Sequence, residues 1–422
     1  MRIIVIGAGV LGVTTAWYLR REGHDVTVVD RATRAGEETS FANGGLLHAS
    51  HAEPWNAPGI LWQLLRWIGR EDSPLLLRPG QIPYLLGWGT GFVRNSTRSR
   101  FERHTRVNAA LAVYSLQLLR ELRRDTRIRY DDAQNGILKV FDDPAALDKA
   151  LHASKVTAPL GVRHSVLDTP QTVALEPALE ESRDQLIGSI YYPDDESGDA
   201  RLFTERLAAL ATDAGVTFQF GCNVERLRLE GGRVKAVETA TGPLEADSYV
   251  IAAGNDSKRL ARQVGVRLPI YPVKGYSATL PLEGWRNPPQ IPIIDDARKV
   301  VVTLLGGRIR LAGTAEFAGY DDSLQTRRAA TVLRQASGRF PSLGQHAERH
   351  EPTYWAGLRP MTMDGPPILG PSPVPNLFLN AGPGHLGWTF ACGCSRIVAD
   401  VISGKTPELE LEGLGLHRFQ SW

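Results

Sequence analysis

The chain of 422 residues is poor in cysteine, with only Cys222, Cys392 and Cys394. Three cysteines are too few and too uneven for a disulfide framework, and such a count suits a reducing compartment. Cys392 and Cys394 form C-x-C instead of the C-x-x-C pair typical of metal sites. We therefore predict buried thiols and no bound metal.

The sequence also lacks a long apolar run and an excess of one charge. No segment has the length of a membrane span, and the opening run IIVI is too short for the core of a signal peptide. We therefore expect a cytoplasmic protein. The net charge of +2 demands no polyanionic partner, so we expect no nucleic-acid binding. The basic cluster at Arg94–Arg106 is interpreted as a solvated helix face.

The length, with 42% hydrophobic and 22% charged residues, is typical of a globular chain of two intertwined domains. The N-terminal residues predict a complete βαβ unit. Its elements are a strand at Arg2–Ile6, a helix at Val10–Glu22 ended by Gly23, and a strand at Asp25–Val29. The two short, fully apolar strands imply a parallel sheet.

A dinucleotide-binding loop joins the first strand to the helix. Gly7, Gly9 and Gly12 have G-x-G-x-x-G spacing: Gly7 permits the tight turn, Gly9 lets the backbone approach a pyrophosphate, and Gly12 lets the helix pack close to the strand. The helix N-terminus offers free N–H groups to the phosphates. Asp30, at the end of the second strand, can accept hydrogen bonds from ribose hydroxyls. The acid disfavours NADP, but the motif does not distinguish NAD from FAD.

A second glycine loop near the C-terminus favours a flavin. Gly382, Gly384 and Gly387 follow an apolar strand and precede a helix that runs to about Ser403. Backbone N–H groups at Gly384–Trp388 would stabilise the negative charge of a reduced flavin, which an NAD enzyme would not need. The alternative is an ordinary helix entry with close packing.

The other predicted elements alternate between helices and strands. They are helices at Asn108–Arg123 and Thr204–Ala214, and strands at Gly136–Phe141, Ile187–Tyr192, Tyr249–Ala252, Ile270–Leu280, Lys299–Leu305, Arg308–Gly313 and Asn376–Asn380.

Seven motifs spread over nearly the whole chain resemble those of the D-amino acid oxidase family of flavoproteins, and within it those of the bacterial D-amino acid dehydrogenases. They are GAGVLGVTTAWYLRREGHDVTVVDR, ETSFANGG, PWNAPGI, DESGD, YPVKGYS, WAGLRPMTMDGPPILG and GHLGWTFACG. The resemblance implies an α/β and α+β fold, with a Rossmann-like FAD-binding domain interleaved with a substrate domain on a large antiparallel sheet. The implied FAD-binding segments are 1–50, 200–268 and 352–422, and the substrate segments are 51–199 and 269–351.

The resemblance also implies which residues contact FAD and substrate. ETSFANGG wraps the flavin in this family, the stretch around Val224 meets the adenine, and the GLRP arginine, here Arg359, binds the substrate carboxylate. The predicted FAD contacts are Gly7, Gly9, Val10, Leu11, Gly12, Asp30, Arg31, Ser40, Asn43, Gly44, Gly45, Val224, Ala253, Gly254, Gly357, Arg359, Gly384, His385, Leu386, Gly387, Trp388 and Thr389. This chain departs from the dehydrogenase pattern at His48, His51 and His385, which leaves the substrate open.

The predicted catalytic residues are Arg359, Tyr276 and His385, and the predicted substrate contacts add His51 and Trp388. The Arg359 guanidinium would hold a carboxylate bidentately. Tyr276 would either add a hydrogen bond to that carboxylate or be a core tyrosine, and Lys274 would lie near the flavin edge or support its strand. Trp355 is expected to pack around the site. No obligatory base is required, because a neutral amine drives hydride transfer from Cα to flavin N5, giving an imino acid that water converts to a 2-oxo acid and ammonia.

The expected activity is FAD-dependent oxidative deamination of a small D-amino acid, with electrons passed to a quinone or another carrier. Two rivals keep the fold: a glycine or sarcosine oxidase using O₂, and a D-hydroxyproline or opine dehydrogenase subunit. A non-catalytic FAD module is a further alternative. The sequence leaves the oligomeric state open.

Residues 53–93 are dense in tryptophan and leucine, and we interpret them as a peripheral membrane-docking surface beside the flavin. The alternative is that they fill the substrate-domain core or a subunit interface. The residues concerned are Trp55, Leu61, Trp62, Leu64, Leu65, Trp67, Ile68, Leu75–Leu77, Tyr84–Leu86, Trp88 and Phe92, with Arg66 and Arg70 beside lipid headgroups.

Overall fold

The computed structural model describes residues 1–62, 69, 73 and 75–420. Twenty strands in this part of the chain form four sheets. The strands are β1 Arg2–Ile6, β2 Asp25–Val29, β3 Leu46–Leu47, β4 Leu75–Leu77, β5 Ile137–Phe141, β6 Ser165–Leu167, β7 Gly188–Tyr192, β8 Glu196–Ser197, β9 Thr217–Gln219, β10 Val224–Glu230, β11 Arg233–Thr239, β12 Gly242–Leu244, β13 Ser248–Ile251, β14 Ile270–Pro281, β15 Ile293–Asp295, β16 Val300–Leu305, β17 Arg308–Phe317, β18 Thr353–Thr362, β19 Ile368–Pro371 and β20 Leu377–Ala381.

The α-helices of the described residues vary from about two to about eight turns. They are α1 Val10–Arg21, α2 Ile82–Arg94, α3 Arg98–Thr126, α4 Pro144–Thr157, α5 Thr169–Leu175, α6 Ala200–Asp213, α7 Ser257–Gln263, α8 Thr326–Arg339, α9 Pro341–Ala347 and α10 Gly387–Ile402.

The first sheet has six strands in the order β19-β20-β13-β1-β2-β9. β1 pairs in parallel with both β2 and β13, so the N-terminal strand is central and its apolar side chains are buried on both faces. Helix α1 packs against α6 and α10. The carboxyl ends of β1, β13 and β20 lie at one edge of the sheet, where the loops after parallel strands form ligand sites.

The second sheet has nine strands, in the order β18-β14-β17-β16-β15-β5-β7-β6 with β4 beside β17. Most pairs are antiparallel, but β5 with β15 and β4 with β17 are parallel. Helix α8 covers one face through Ala329, Val332 and Ala336, which are fully buried. β10, β11 and β12 form a small separate sheet, and β3 pairs with β8. The mixed α/β architecture confirms the predicted fold class.

The predicted elements mostly agree with the structure to within one or two residues. Helix α3 is the main exception, because it begins at Arg98 and not at Asn108. The first turns of α3 carry exposed arginines, including Arg100 and Arg103, and the regular spacing of buried residues begins only at His104. The sequence pattern therefore indicates only the later part of the helix. This exposure agrees with the solvated face predicted for the basic cluster. Helix α6 begins at Ala200, four residues before the predicted start at Thr204, and β17 extends four residues beyond the predicted end at Gly313.

The division into an FAD-binding and a substrate domain stays a prediction, but the sheets bear on it. All strands of the six-stranded sheet come from the three segments assigned to FAD binding. β18 also falls in such a segment, at 352–422, yet it pairs with β14 over ten residues and belongs to the nine-stranded sheet. The chain therefore crosses between the two sheets at β18.

The three cysteines are free and buried. In the part of the chain that the structure describes, no helix is long and apolar enough to cross a membrane. No cluster of metal-ligating side chains occurs among the same residues.

Candidate active site

The loop between β1 and α1 is shaped by its glycines. Gly7 has a φ of +112°, and a Cβ there would lie 2.5 Å from the carbonyl oxygen of Ala252. A Cβ at Gly12 would lie 1.8 Å from the carbonyl oxygen of Gly7, so Gly12 sets the contact between helix and strand. By contrast, a Cβ at Gly9 would meet only Ser40 Oγ, at 3.8 Å, because Gly9 faces the open cavity.

Two side chains hold this loop in place. Asp30 accepts hydrogen bonds from the backbone N–H groups of Ala8 at 2.5 Å and Ala32 at 2.7 Å. Ser40 Oγ accepts a hydrogen bond from the Val10 N–H at 3.2 Å, in the first turn of α1. Asp30 was predicted to accept from ribose hydroxyls; its carboxylate also fixes the turn, and the residue lines the cavity.

An elongated cavity runs along the carboxyl edge of the six-stranded sheet, over the N-terminus of α1. At one end Arg31 forms ion pairs with Glu38 at 2.5 Å and with Asp256 at 2.9 Å, and all three residues line the cavity. The predicted cofactor residues in its wall are Gly7, Gly9, Val10, Leu11, Asp30, Arg31, Ser40, Asn43, Val224, Ala253, Gly254, Arg359, Gly384, His385, Gly387 and Trp388. The N-terminal and C-terminal glycine loops therefore meet at one site, as predicted.

Some predicted cofactor residues lie elsewhere. Gly12 packs against Gly7 behind the loop, and Leu386 is buried in the core. Thr389 accepts a hydrogen bond from the His48 N–H at 3.2 Å through its side chain. None of these three lines this cavity or the one that adjoins it. Gly44, Gly45 and Gly357 line a second, adjoining cavity.

The segment at residues 40–45 is tied to the nine-stranded sheet by three side chains that donate to its backbone carbonyls. Ser277 Oγ donates to Ala42, Arg310 to Asn43 and Thr303 Oγ1 to Gly44, at 2.7, 2.9 and 2.8 Å. These bonds fix the segment where the two cavities join. Nothing in the sequence signals them, because the donors are more than 230 residues away.

The C-terminal loop approaches β18 closely. Gly384 has a φ of +61°, and a Cβ there would lie 3.0 Å from Met361 Sδ. Pro383 forms an isolated bridge with Met361, and a single 3₁₀ turn at Gly384–Leu386 leads into α10. The glycines thus serve close packing, as the alternative interpretation held, and the loop lines the cavity as well.

The second cavity has a volume of about 1070 Å³ and shares Thr39, Asn43, Arg359, His385 and Trp388 with the first. Its walls come from the nine-stranded sheet, from residues 39–60 and from α3 and α4. The shared residues mark where a ring system held in the first cavity would face a small molecule in the second.

Arg359 projects from β18 into this junction. Its Nη1 donates to the Thr314 carbonyl at 3.3 Å, and its Cζ lies 5.5 Å from the ring centre of Trp55. No carboxylate of the described residues forms an ion pair with it. Burial lowers the pKa of Arg359 to about 10, which leaves the group charged at neutral pH. A half-buried cation with one neutral acceptor is suited to bind an anion, since leaving it unpaired costs free energy.

Two glycines opposite each other make room for this arrangement. Gly275 of β14 pairs with Gly357 of β18. A Cβ at Gly275 would lie 2.1 Å from Arg359 Nη1, and one at Gly357 would lie 2.0 Å from the Trp355 ring. The Arg359 and Trp355 side chains therefore lie flat on a glycine platform. Gly275 was not among the predicted site residues, although it lies inside the motif YPVKGYS.

Three histidines line the second cavity beside Arg359. The ring of His385 stacks on Trp55 at 5.3 Å, and the rings of His48 and His51 meet edge to face at 5.9 Å. Burial lowers the pKa of His48 to about 4 and that of His385 to about 3, and it lowers the pKa of His51 as well. All three rings are therefore neutral at pH 7.

Tyr276 and Lys274 are engaged away from Arg359. The Tyr276 hydroxyl, expected as a second hydrogen bond to a carboxylate, donates to Glu316 Oε2 at 2.7 Å, although the residue lines the cavity. Glu316 also pairs with Arg78 at 2.7 Å. The fully buried Lys274 pairs with Asp321 at 2.9 Å and supports its strand. The core interpretation of both side chains agrees better with these contacts.

Trp388 and Trp55 contribute differently from each other. The Trp388 Nε1–H donates to the Gly198 carbonyl at 3.1 Å, and its ring packs on Phe203 and Tyr130 while one edge reaches the cavities. Trp55 touches both Arg359 and His385 through its ring. Trp55 was assigned to the apolar segment at the sequence level, and no local pattern indicates its place beside Arg359.

The tryptophan-rich segment divides into core and surface. Leu76, Trp88 and Phe92, which we had placed in the membrane-docking surface, are buried, and Trp88 Nε1–H donates to the Met361 carbonyl at 3.0 Å. Leu61, Trp62, Tyr84 and Leu86 are exposed. Leu64, Leu65, Arg66, Trp67, Ile68 and Arg70 lie outside the described residues.

Comparison with known proteins gives the same picture. The model of the FAD dependent oxidoreductase (DAO) family matches residues 2–401. The chain is 48% identical over 423 residues to a D-amino acid dehydrogenase of Paramagnetospirillum magneticum, with all of both chains covered. It is 45% identical to a D-amino acid dehydrogenase of a Methylobacterium species, over 100% of this chain and 99% of the relative. A crystal structure of L-proline dehydrogenase from P. horikoshii has the same fold, with a TM-score of 0.78, 19% identity and coverage of 100% and 98%.

Proposed function

Since the chain belongs to the FAD dependent oxidoreductase (DAO) family and is an FAD-dependent amino acid dehydrogenase, we propose that its substrates are small D-amino acids. In the proposed reaction the amino acid and water give the 2-oxo acid and ammonia. Two electrons and two protons pass to an acceptor. The D preference is taken from relatives named D-amino acid dehydrogenase that are 45–48% identical over the whole chain.

The observation that carries the proposal is the half-buried guanidinium of Arg359. It faces a cavity large enough for an amino acid, and it donates a hydrogen bond to one backbone carbonyl. An α-carboxylate would satisfy it with two charge-assisted hydrogen bonds and would fix the plane of the substrate. A salt bridge within the protein, the structural alternative for this arginine, has no partner among the described residues.

The residues of the first cavity fit FAD. The open face of Gly9 and the N-terminus of α1 suit a pyrophosphate, and Asp30 and Val224 lie toward the adenosine end. Residues 40–45 and Gly384–Trp388 would hold the ring system at the junction with the second cavity. When bound, FAD supplies a hydride acceptor at N5 of its ring.

The chain's own residues would act by positioning. Arg359 holds the carboxylate, and the Trp55 and His385 rings limit where the α-carbon can lie. The neutral rings of His48, His51 and His385 place no positive charge against the substrate amine. No side chain is needed as an obligatory base, because the amine lone pair drives loss of the α-hydrogen.

The test is an anaerobic screen of D- and L-amino acids for bleaching of the bound flavin. Small D-amino acids should bleach it and yield the 2-oxo acid, whereas their L-enantiomers should not. Cofactor release followed by mass spectrometry should give FAD. If no amino acid bleaches a flavin that dithionite reduces, the proposed activity is wrong and a non-catalytic module is favoured.

We further propose that the electrons pass to a membrane quinone, and that the exposed part of the tryptophan-rich segment touches the bilayer. Trp62, Tyr84 and Leu86 are 72, 76 and 65% exposed, which is unusual for large apolar side chains. Tryptophan and tyrosine favour the membrane interface. The second cavity extends toward this surface through Ile60, Leu75 and Phe92.

Vesicle binding separates this acceptor from O₂. The triple variant Trp62→Gln, Tyr84→Ser and Leu86→Gln should lose vesicle binding and turnover with a quinone while turnover with a soluble dye remains. A matched triple variant at exposed apolar residues elsewhere, Val166→Ser, Leu175→Gln and Leu229→Gln, should bind vesicles normally. Rapid H₂O₂ formation by the wild type would contradict the dehydrogenase assignment.

A further inference from the structure

The wall of the second cavity beyond the histidines carries a group of opposite charges that the proposed reaction does not use. Glu53, Lys139, Asp296 and Lys299 all line this cavity. Glu53 follows the histidine-bearing loop, Lys139 lies in the middle of β5, and Asp296 and Lys299 flank the turn between β15 and β16. Three parts of the chain therefore bring charge to one wall.

Within this group the lysines share one carboxylate. Lys139 Nζ lies 3.1 Å from Asp296 Oδ1, and Lys299 Nζ lies 3.0 Å from Asp296 Oδ2. Although burial raises it, the pKa of Asp296 is held below its usual value by these two ammonium groups. Two ammonium groups on one carboxylate have a net charge of +1. Lys139 is the more buried of the two lysines, with 10% of its side chain exposed against 50% for Lys299.

Glu53 supplies the matching negative charge. Its Oε2 lies 3.7 Å from His51 Nδ1, which is beyond hydrogen-bond length. Burial raises the pKa of Glu53, and the charge of Lys139, which lines the same cavity, opposes that effect. The four side chains together carry no net charge, and they offer one carboxylate that accepts and one ammonium that donates.

A series of side-chain contacts connects the charged wall to Arg359, the proposed carboxylate anchor. Arg359 touches Trp55, Trp55 stacks on His385, and His51 lies between His385 and Glu53. A substrate whose carboxylate is held by Arg359 would therefore extend its side chain along the histidines toward Glu53 and Lys139. Because the charges of these four side chains balance one another, a net charge on the substrate side chain would find no unmatched countercharge among them.

On the premise of the proposed function, we propose that Glu53 and Lys139 form a subsite for the end of the substrate side chain. This subsite selects a neutral group that can both donate and accept hydrogen bonds, a carboxamide or a hydroxyl. The carboxylate of Glu53 accepts from the group's N–H or O–H, and Lys139 donates to its oxygen. The predicted substrate class is therefore polar, uncharged D-amino acids.

The experiment compares kcat/KM within sets of equal side-chain length: D-asparagine, D-leucine and D-aspartate, and D-glutamine, D-norleucine, D-glutamate and D-ornithine. In the wild type the amide should exceed its apolar and acidic counterparts by about tenfold or more in at least one set, because a site built to hydrogen-bond rejects a substrate without the group. Equal values for amide and apolar substrates in both sets would overturn the subsite while leaving the proposed function intact.

Single-charge variants test the balance of the wall. Glu53→Gln leaves a positive wall and should raise the acid-to-amide ratio of kcat/KM, whereas Lys139→Met leaves a negative wall and should lower that ratio and raise the value for D-ornithine. Lys235→Met, on an exposed lysine of the small sheet, is the matched control and should leave every ratio as in the wild type. Flavin content and circular dichroism check folding.

Ratios that do not move in opposite directions in the two variants would overturn the proposal. If no D-amino acid bleaches the flavin of the wild type, the proposed function itself is wrong. The two failures are therefore distinguishable.

Discussion

The two cavities meet their ligands with different parts of the polypeptide. Around Gly7 and Gly9 the first cavity offers backbone N–H groups and bare glycine faces, and the side chains that hold the loop, Asp30 and Ser40, lie within the first 40 residues. Around Arg359 the second cavity offers side chains drawn from β5, β14, β18 and residues 48–60. Backbone suits a ligand that never changes, whereas side chains let one fold take many substrates.

The largest effect should come from a change in the second cavity, where side chains contact the ligand. Arg359→Leu removes the carboxylate anchor and should lower kcat/KM by about 2–5 kcal/mol of transition-state binding while FAD stays bound. Steady-state kinetics and the ratio of flavin to protein absorbance measure the two quantities. Arg359→Lys, which keeps the charge but loses the fork, should lie between the variant and the wild type. Unchanged kinetics in Arg359→Leu would rule out Arg359 as the anchor.

A change in the first cavity, where the backbone contacts the ligand, should weaken FAD binding and leave substrate binding unchanged. Gly12→Ala puts a Cβ 1.8 Å from the Gly7 carbonyl, so the loop must shift, at a cost of about 1–3 kcal/mol. The purified variant should hold little FAD, and excess FAD should restore kcat with an unchanged substrate KM. A variant that is fully loaded with FAD but has a raised substrate KM would contradict the distinction between the two cavities.

Gly275→Ala asks whether the platform positions the anchor. The new Cβ would lie 2.1 Å from Arg359 Nη1, and the displaced guanidinium should cost about tenfold to a hundredfold in kcat/KM. Gly307→Ala, where a Cβ meets nothing within 4 Å, is the control and should behave as the wild type. The double variant Gly275→Ala, Arg359→Leu should lose no more kcat/KM than Arg359→Leu alone. Additive losses of kcat/KM would mean that Gly275 does not act through Arg359.

The smallest effect should follow Arg31→Gln. Its ion pairs with Glu38 and Asp256 lie at the rim of the first cavity, and half of the Arg31 side chain is exposed. Exposed pairs contribute about 0–1 kcal/mol and are screened by salt. Titration of the apoprotein should show a rise in the Kd for FAD of no more than severalfold, smaller at high ionic strength. A larger, salt-independent rise would require a direct contact with the cofactor.

The same contrast explains what the sequence predicts. The β1–α1–β2 unit depends on local periodicity and glycine positions, and its bounds agree with the structure to within one residue. Arg359 was found only through the resemblance of its motif. Gly275 and Lys139 carry no local signal, because their neighbours Gly357 and Asp296 are more than 80 residues away along the chain. Tyr276 was assigned to the substrate because its hydroxyl partner, Glu316, is 40 residues away on the next strand.

The most direct measurement combines the substrate carboxylate with Arg359 in one anaerobic experiment. The rate of flavin bleaching is measured for a D-amino acid and for the matching primary amine without the carboxylate, in the wild type and in Arg359→Leu. We predict that the amino acid is strongly preferred by the wild type and that this preference collapses in the variant, because the two groups recognise each other. The same preference in both proteins, with FAD bound in both, would contradict the assignment of the second cavity as the amino acid site.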